Sequence, residues 1–222
     1  LRLFLTRVLY VALLILAIEF VNAGFPLSPK LNALLTLFTV GIPTIALAAW
    51  ARPIPPPRDA LLRALFQFVV PAAWSLAVVG FAVYLAYFLP SRDEILRAAP
   101  GVVQSPALLA AQTVAQSALT TVSVLCGLLL VLFRRPSAPG MGETLQRDWR
   151  VWVLVAALLL GFVLVLAIPS LRTFFDLTWL GLADYLGLAV VALIWAAGLY
   201  WAWRMQLFER MLGLDGTRPL PR

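Results

Sequence analysis

Apolar runs long enough to cross a bilayer recur along the whole chain, and no other feature constrains the fold as strongly. They fall near residues 3–23, 31–50, 62–89, 107–133, 150–169 and 182–203. A helix of about 20 residues spans a hydrocarbon core of ~30 Å. Backbone polar groups inside lipid must be satisfied within their own segment, and these runs are too long for barrel strands and lack alternation. Each is therefore expected to be helical. The connectors carry turn signals at Pro26 and Pro29, at Pro53, Pro55, Pro56 and Pro57, at Pro90 and Pro100, at Pro136 and Pro139, and at Pro169. The expected fold class is all-α: a polytopic membrane helix bundle of six transmembrane helices, with residues 1–222 forming a single transmembrane domain. Composition agrees, because 63% of the residues are hydrophobic and 12% charged, whereas a soluble domain is roughly half apolar and a quarter charged. The first run is too long for a signal peptide, carries Glu19 and leads into further spans, so it reads as a mature helix.

Charge gives orientation rather than a nucleic-acid partner. The net charge of +7 comes from arginines scattered through short connectors, with no soluble basic module to use them. With an even number of spans both termini share a side. That side and the connectors 51–61 and 134–149, with their adjoining helix ends, hold Arg2, Arg7, Arg52, Arg58, Arg63, Arg134, Arg135, Arg147, Arg150, Arg204, Arg210, Arg218 and Arg222. The opposite side holds Lys30, Arg92, Arg97 and Arg172. Thirteen against four places both termini in the cytoplasm of a multi-pass plasma-membrane protein. Trp50, Trp149, Trp152, Trp201 and Trp203 gather at the same inferred interface, as a lipid-anchoring aromatic belt would. The chain has no histidine and one cysteine, Cys126, so imidazole-ligated metals and an internal disulfide are excluded.

No connector is long enough for a nucleotide-binding domain, and no P-loop, dinucleotide fingerprint or phosphorylation motif is present. The informative residues are the polar ones inside the spans. In the second span Thr36 and Thr39 are three apart, and Pro43 deprives the Thr39 carbonyl of its helical donor while Gly41 eases unwinding. Oxygen ligands of this kind suit a hard cation. A proline kink whose carbonyl is satisfied by a neighbour accounts for the same residues. Glu19 is the acidic residue of the first two spans, either on an ion pathway or reaching interfacial water. The fourth span carries a polar stripe through Gln112, Gln116 and Thr120, interleaved with Ala107, Ala111, Ala115 and Ala118, which fits a pathway or close helix packing. Gln67, Pro71 and Ser75 in the third span read as packing residues.

The stretch Pro26-Leu27-Ser28-Pro29, followed by Thr36-Leu37-Phe38-Thr39-Val40-Gly41-Ile42-Pro43, resembles the passage from the fifth to the sixth transmembrane segment of P-type cation-transporting ATPases. Thr39, Gly41 and Pro43 match the T-x-G-x-P core of that family's unwound, ion-binding helix, and six spans with short loops match its C-terminal half. The resemblance implies a cation site at Thr36 and Thr39, shaped by Gly41 and Pro43; Glu19, which does not align with the family's acidic ligand (that would fall nearer Leu13), and Gln112 and Gln116 are pathway candidates from their own polarity inside the spans. Thr36 falls where calcium pumps place an asparagine, and Val40 where they place an aspartate, so divalent selectivity does not carry over. The implied partners are the lipid bilayer, a transported cation such as calcium, magnesium or another hard cation, and the pump's missing N-terminal helices and cytoplasmic domains. ATP and Mg2+ would act on those domains, with no cofactor in this chain. A free-standing small permease or structural membrane subunit is the alternative.

Overall fold

The computed structural model describes residues 2–20, 27–50, 58–98, 106–132 and 149–204, and among them the chain is helical with no strand. Helix α1 is Arg2–Phe20. The second span is compound: α2 (Pro29–Thr36), a π-helical turn (Leu37–Gly41) and α3 (Ile42–Trp50). Then come α4 (Arg58–Ala98), α5 (Pro106–Leu132), α6 (Trp149–Ala167), the short α7 (Pro169–Phe174) and α8 (Leu182–Arg204). Five stretches among the described residues are long and apolar enough to cross a membrane: Pro29–Ala49, Val69–Ile95, Pro106–Leu132, Trp149–Ala167 and Leu182–Ala202. This is the pattern of a multi-pass membrane protein. The peripheral α6 and α8 turn Leu160, Leu164, Leu186, Leu193 and Ile194 outward, a surface suited to lipid.

Local chemistry sets the boundaries. Ser28 caps α2, its hydroxyl accepting the Leu31 N–H at 3.2 Å, and Pro29 occupies the first turn, where its missing N–H costs no bond. The break between α6 and α7 falls at Ile168, held extended at ψ 113° because the following Pro169 disfavours the helical region there. Asp184 starts α8: its carboxylate accepts the Gly181 N–H and the Tyr87 hydroxyl, each at 3.0 Å, next to the positive end of the helix dipole.

The sequence reading ends the third span at Pro90, whereas α4 continues through Pro90 to Ala98 and also contains Pro71. Its 41 residues make a rod of about 60 Å, and the Ser91–Ala98 extension is polar helix rather than connector. The connectors 51–57 and 133–148 and the tail 205–222, which carry many of the arginines on which the expected orientation rests, lie outside the described residues, as do the side chains of Trp50, Gln67 and Trp203.

Helix α5 is the hub, packing against α4, α6, α8 and the second span, while α1 lies on α4 and touches the π turn. Small residues permit the close approach: Ala72, Ala73 and Ala77 on α4 and Ala115 and Ala118 on α5 are buried. At Gly80 an added Cβ would lie 3.0 Å from Leu119 and 3.3 Å from the Tyr10 hydroxyl. Phe38 of the π turn meets Phe162 of α6 edge to face, with centroids 5.9 Å apart. Trp195 of α8 donates its indole N–H to Ser75 of α4 at 3.1 Å, so Ser75 packs helices, as expected.

Candidate functional site

The fourth-span hydroxyls are hydrogen-bonded within the bundle. Thr120, Thr121 and Ser123 each donate a hydroxyl hydrogen to the carbonyl four residues back, at 2.6–2.8 Å. Ser117 also bonds back to Thr113, and its oxygen accepts both the N–H and the hydroxyl of Thr178, each at 2.9 Å. The segment after α7 is thereby strapped onto the flank of α5. Ser117→Ala should leave the Thr178 N–H without its acceptor and destabilise the bundle by about 1–3 kcal/mol; thermal unfolding of the purified chain measures it. Gln112 is half-buried and Gln116 buried, and both have interactions within the protein.

The second span departs from α-helix where the Thr-x-Gly-x-Pro residues predict a disturbance, but it widens instead of unwinding. The Ile42 N–H reaches the Leu37 carbonyl five residues back. In that register the proline that follows falls opposite Phe38 rather than Thr39, so the wide turn absorbs the missing donor. Thr44 contributes too, its hydroxyl donating to the carbonyls of Val40 at 2.6 Å and Gly41 at 3.0 Å.

Thr36 and Thr39 do not present themselves alike. Thr39 is buried, donates its hydroxyl to the Leu35 carbonyl at 2.7 Å, and sets its methyl group against Gly127 of α5. Thr36 is exposed, donates to the Asn32 carbonyl at 2.7 Å, and accepts from Arg7 Nη2 at 3.2 Å. The same nitrogen bonds the carbonyl and side-chain oxygens of Asn32. Arg7, counted among the membrane-end charges on sequence grounds, is in fact buried in the bundle with its guanidinium clamped to α2. The spacing of Asn32 and Thr36, one turn apart on the span facing the first helix, is the sequence signal that marks it. Removing Arg7 from the tally leaves twelve positive charges against four.

Beside this clamp lies a cavity of about 20 Å³ whose lining includes Thr6, Arg7, Tyr10, Thr39, Ser123 and Gly127. Tyr10 and Ser123 share a hydrogen bond of 2.6 Å across it. The remaining candidates do not converge here. Glu19 is exposed near the far end of α1, and Gln116 precedes Gly127 by about 16 Å of helix. Comparison of the chain with protein-family models, curated proteins and solved structures finds no match.

Proposed function

We propose that this chain is the six-span, plasma-membrane domain of an ATP-driven P-type cation pump and supplies part of its cation pathway, with α1 as the sixth span. ATP and Mg2+ act on domains outside it. The observation that carries the reading is the π turn at Leu37–Gly41, an interruption of a membrane-crossing helix over the residues that resemble the pump motif, packed against α5 and bordering a small, mainly apolar cavity that Arg7, Tyr10 and Ser123 also line. Irregular backbone inside a membrane is tolerated where it is packed by protein or lines a cavity, and π turns are frequent at functional sites. Thr39 is the proposed cation ligand, with Thr36 next to it. Arg7 sets a condition on this site. Two unit positive charges 4 Å apart repel by about 4 kcal/mol at an effective dielectric of 20, so the guanidinium has to leave Thr36 when a cation enters. Glu19, Gln112 and Gln116 belong to other levels of the bundle and serve at most as access points to the pathway.

A second reading, a free-standing permease or structural subunit with a kink that only packs, draws support from the Thr36 and Thr39 hydroxyls, both already donated to their own helix. The experiment is ATP-driven uptake of labelled calcium, magnesium, sodium and potassium into sealed vesicles that hold the protein expressed from its complete reading frame. Uptake of any one of them above an ATP-free control supports the pump. Absence of uptake for all four, with no ion-stimulated ATP turnover, overturns it.

The orientation proposed is cytoplasmic for both termini and for 51–61 and 134–149, and external for 24–30, 90–106 and 170–181. Lys30 and Asp176 form a 3.0 Å ion pair, which supports a shared side for two of the external connectors. Cysteine scanning in a Cys126→Ser background checks this, and an impermeant external reagent should leave a cysteine at position 137 unlabelled. Labelling there reverses the orientation.

A further inference from the structure

The connector between α6 and α8 is an ordered element with two kinds of residue. The six-residue α7 closes in a Schellman turn. Asp176 takes the left-handed conformation at φ 56°, its N–H bonded to the Thr173 carbonyl at 3.2 Å, and the Leu177 N–H reaches back to the Arg172 carbonyl at 2.9 Å. Leu177 and Leu180 are buried, and Thr178 is tied to α5 through Ser117 at 2.9 Å and the Thr113 carbonyl at 3.3 Å. Phe174, Trp179 and Leu182, by contrast, are 64%, 58% and 73% exposed, and Leu171 is exposed on the same side of α7 as Phe174.

The neighbours of the connector set its depth. Thr113 and Ser117 lie about 10 and 16 Å along α5 from its start at Pro106. Tyr87, bonded to Asp184, lies about 12 Å short of Ile95, where the apolar stretch of α4 ends. Those stretches of α4 and α5 are 27 residues each, or about 40 Å, longer than a hydrocarbon core of ~30 Å. Helix α6, with 19 residues and a length of about 28 Å, matches the core, and it ends at Ala167, where the connector begins. The connector therefore sits at the boundary between acyl chains and headgroups, and α4 and α5 run past it.

The exposed face also carries a cation. The Arg172 guanidinium lies over the Trp179 ring, 5.3 Å from its centroid, and Tyr185 braces that ring edge to face at 5.6 Å. No carboxylate among the described residues is within ion-pair distance of Arg172. Asp176 pairs with Lys30, and Asp184 holds the Gly181 N–H and the Tyr87 hydroxyl. We infer that this face is docked on the headgroup layer of the bilayer, with Phe174, Trp179 and Leu182 among the upper acyl segments and the Arg172 guanidinium on a lipid phosphate. Guanidinium matches phosphate in charge and bidentate geometry, and an indole suits a site with one apolar and one wet side. The face adjoins the outward Leu164 of α6 and Leu186 of α8, so the surface suited to lipid continues onto it without a break in the chain. A loop standing in water would instead leave Phe174 and Leu182 in solvent, against the hydrophobic effect.

The inference needs only that α6 and α8 cross the membrane, not that the chain is a pump. Its first test attaches a nitroxide to Ser170→Cys, Leu171→Cys, Thr173→Cys or Phe174→Cys, one at a time, in a Cys126→Ser chain held in phospholipid nanodiscs. Collision of each label with oxygen, which concentrates in lipid, is compared with collision with a nickel chelate, which stays in water. Labels at 171 and 174 should favour oxygen severalfold more than those at 170 and 173, which lie on the neighbouring side of α7. Equal ratios at the four positions, as in a water-borne loop, overturn the proposal. Low collision with both reagents at 171 and 174 also overturns it, since a second copy or another protein then covers the face. The phosphate contact is tested with Arg172→Gln, unfolded thermally in the same nanodiscs and in maltoside micelles, whose headgroups carry neither charge nor phosphate. The loss of midpoint should be greater in nanodiscs by roughly 2–4 °C. An equal loss in both means that Arg172 acts through Trp179 alone. A loss in micelles that grows to the nanodisc value on adding inorganic phosphate means a site for free phosphate. Either result removes the lipid phosphate from the proposal and overturns it.

Discussion

Replacing Gly127 with alanine is expected to destabilise the bundle by about 2–3 kcal/mol, toward the upper end of the range for overpacking a close-packed interior. A Cβ at this position would stand 2.5 Å from Thr39 Cγ2 and 2.9 Å from Thr39 Cβ, closer than non-bonded carbons approach. The methyl cannot simply swing aside, because the Thr39 hydroxyl is held by the Leu35 carbonyl at 2.7 Å and fixes the rotamer. Relief therefore requires the π turn and α5 to separate, and α5 is the helix on which most of the bundle packs. Thr39→Ser removes Cγ2 while retaining the hydroxyl, so it should recover part of the loss in the Gly127→Ala background although it is neutral or mildly destabilising alone. Thermal unfolding of the four chains of this double-mutant cycle in one lipid gives the coupling. An unchanged midpoint for Gly127→Ala would show that the second span does not lie against α5 at this level.

That contact also shows where sequence reasoning stops. Span positions were legible because lipid imposes length and apolarity directly on the residues: the expected 107–133, 150–169 and 182–203 correspond to Pro106–Leu132, Trp149–Ala167 and Leu182–Arg204. Pro90 misled because a proline inside a spanning helix can kink it without ending it, and α4 runs on through Pro90 as it does through Pro71. The Thr39-Gly41-Pro43 run correctly marked a disturbed helix. Whether the backbone unwinds or takes a π turn depends on what packs around it, here Phe162 against Phe38 and Gly127 against Thr39, and those partners lie more than a hundred or eighty residues away. Arg7 escaped for a related reason. A sequence counts an arginine near the end of a span as a topology marker, and its burial against Asn32 emerges only once α1 and α2 are placed side by side.

The largest functional effect is expected at Pro43. Pro43→Ala returns an N–H to the chain and removes the ring that clashes with the carbonyl four residues back, so the wide turn loses its reason and an α register through Thr39 becomes available. Intrinsic propensity favours the change by about 3 kcal/mol at an ordinary interior site. The native packing opposes it, since a one-residue change of register rotates the preceding side chains by about 100° about the helix axis. Thr39 would then leave its notch at Gly127, and its carbonyl would acquire a helical donor. If Thr39 is a cation ligand in the complete pump, the half-saturating ion concentration for phosphorylation by ATP should rise at least tenfold, or about 1.4 kcal/mol of binding. Thr39→Val, which keeps the shape and removes the hydroxyl, should raise it as well, by a smaller factor. A kink that only packs makes a different forecast. Pro43→Ala would then alter the unfolding midpoint and leave ion affinity alone, and Thr39→Val would lose only its bond to the Leu35 carbonyl. Measuring ion-dependent phosphorylation and thermal unfolding of both variants, at matched expression and in the same lipid, separates the two. Unmodified half-saturating concentrations in both would remove Thr39 from the ligand set and leave the π turn as a means of accommodating Pro43 in the helix.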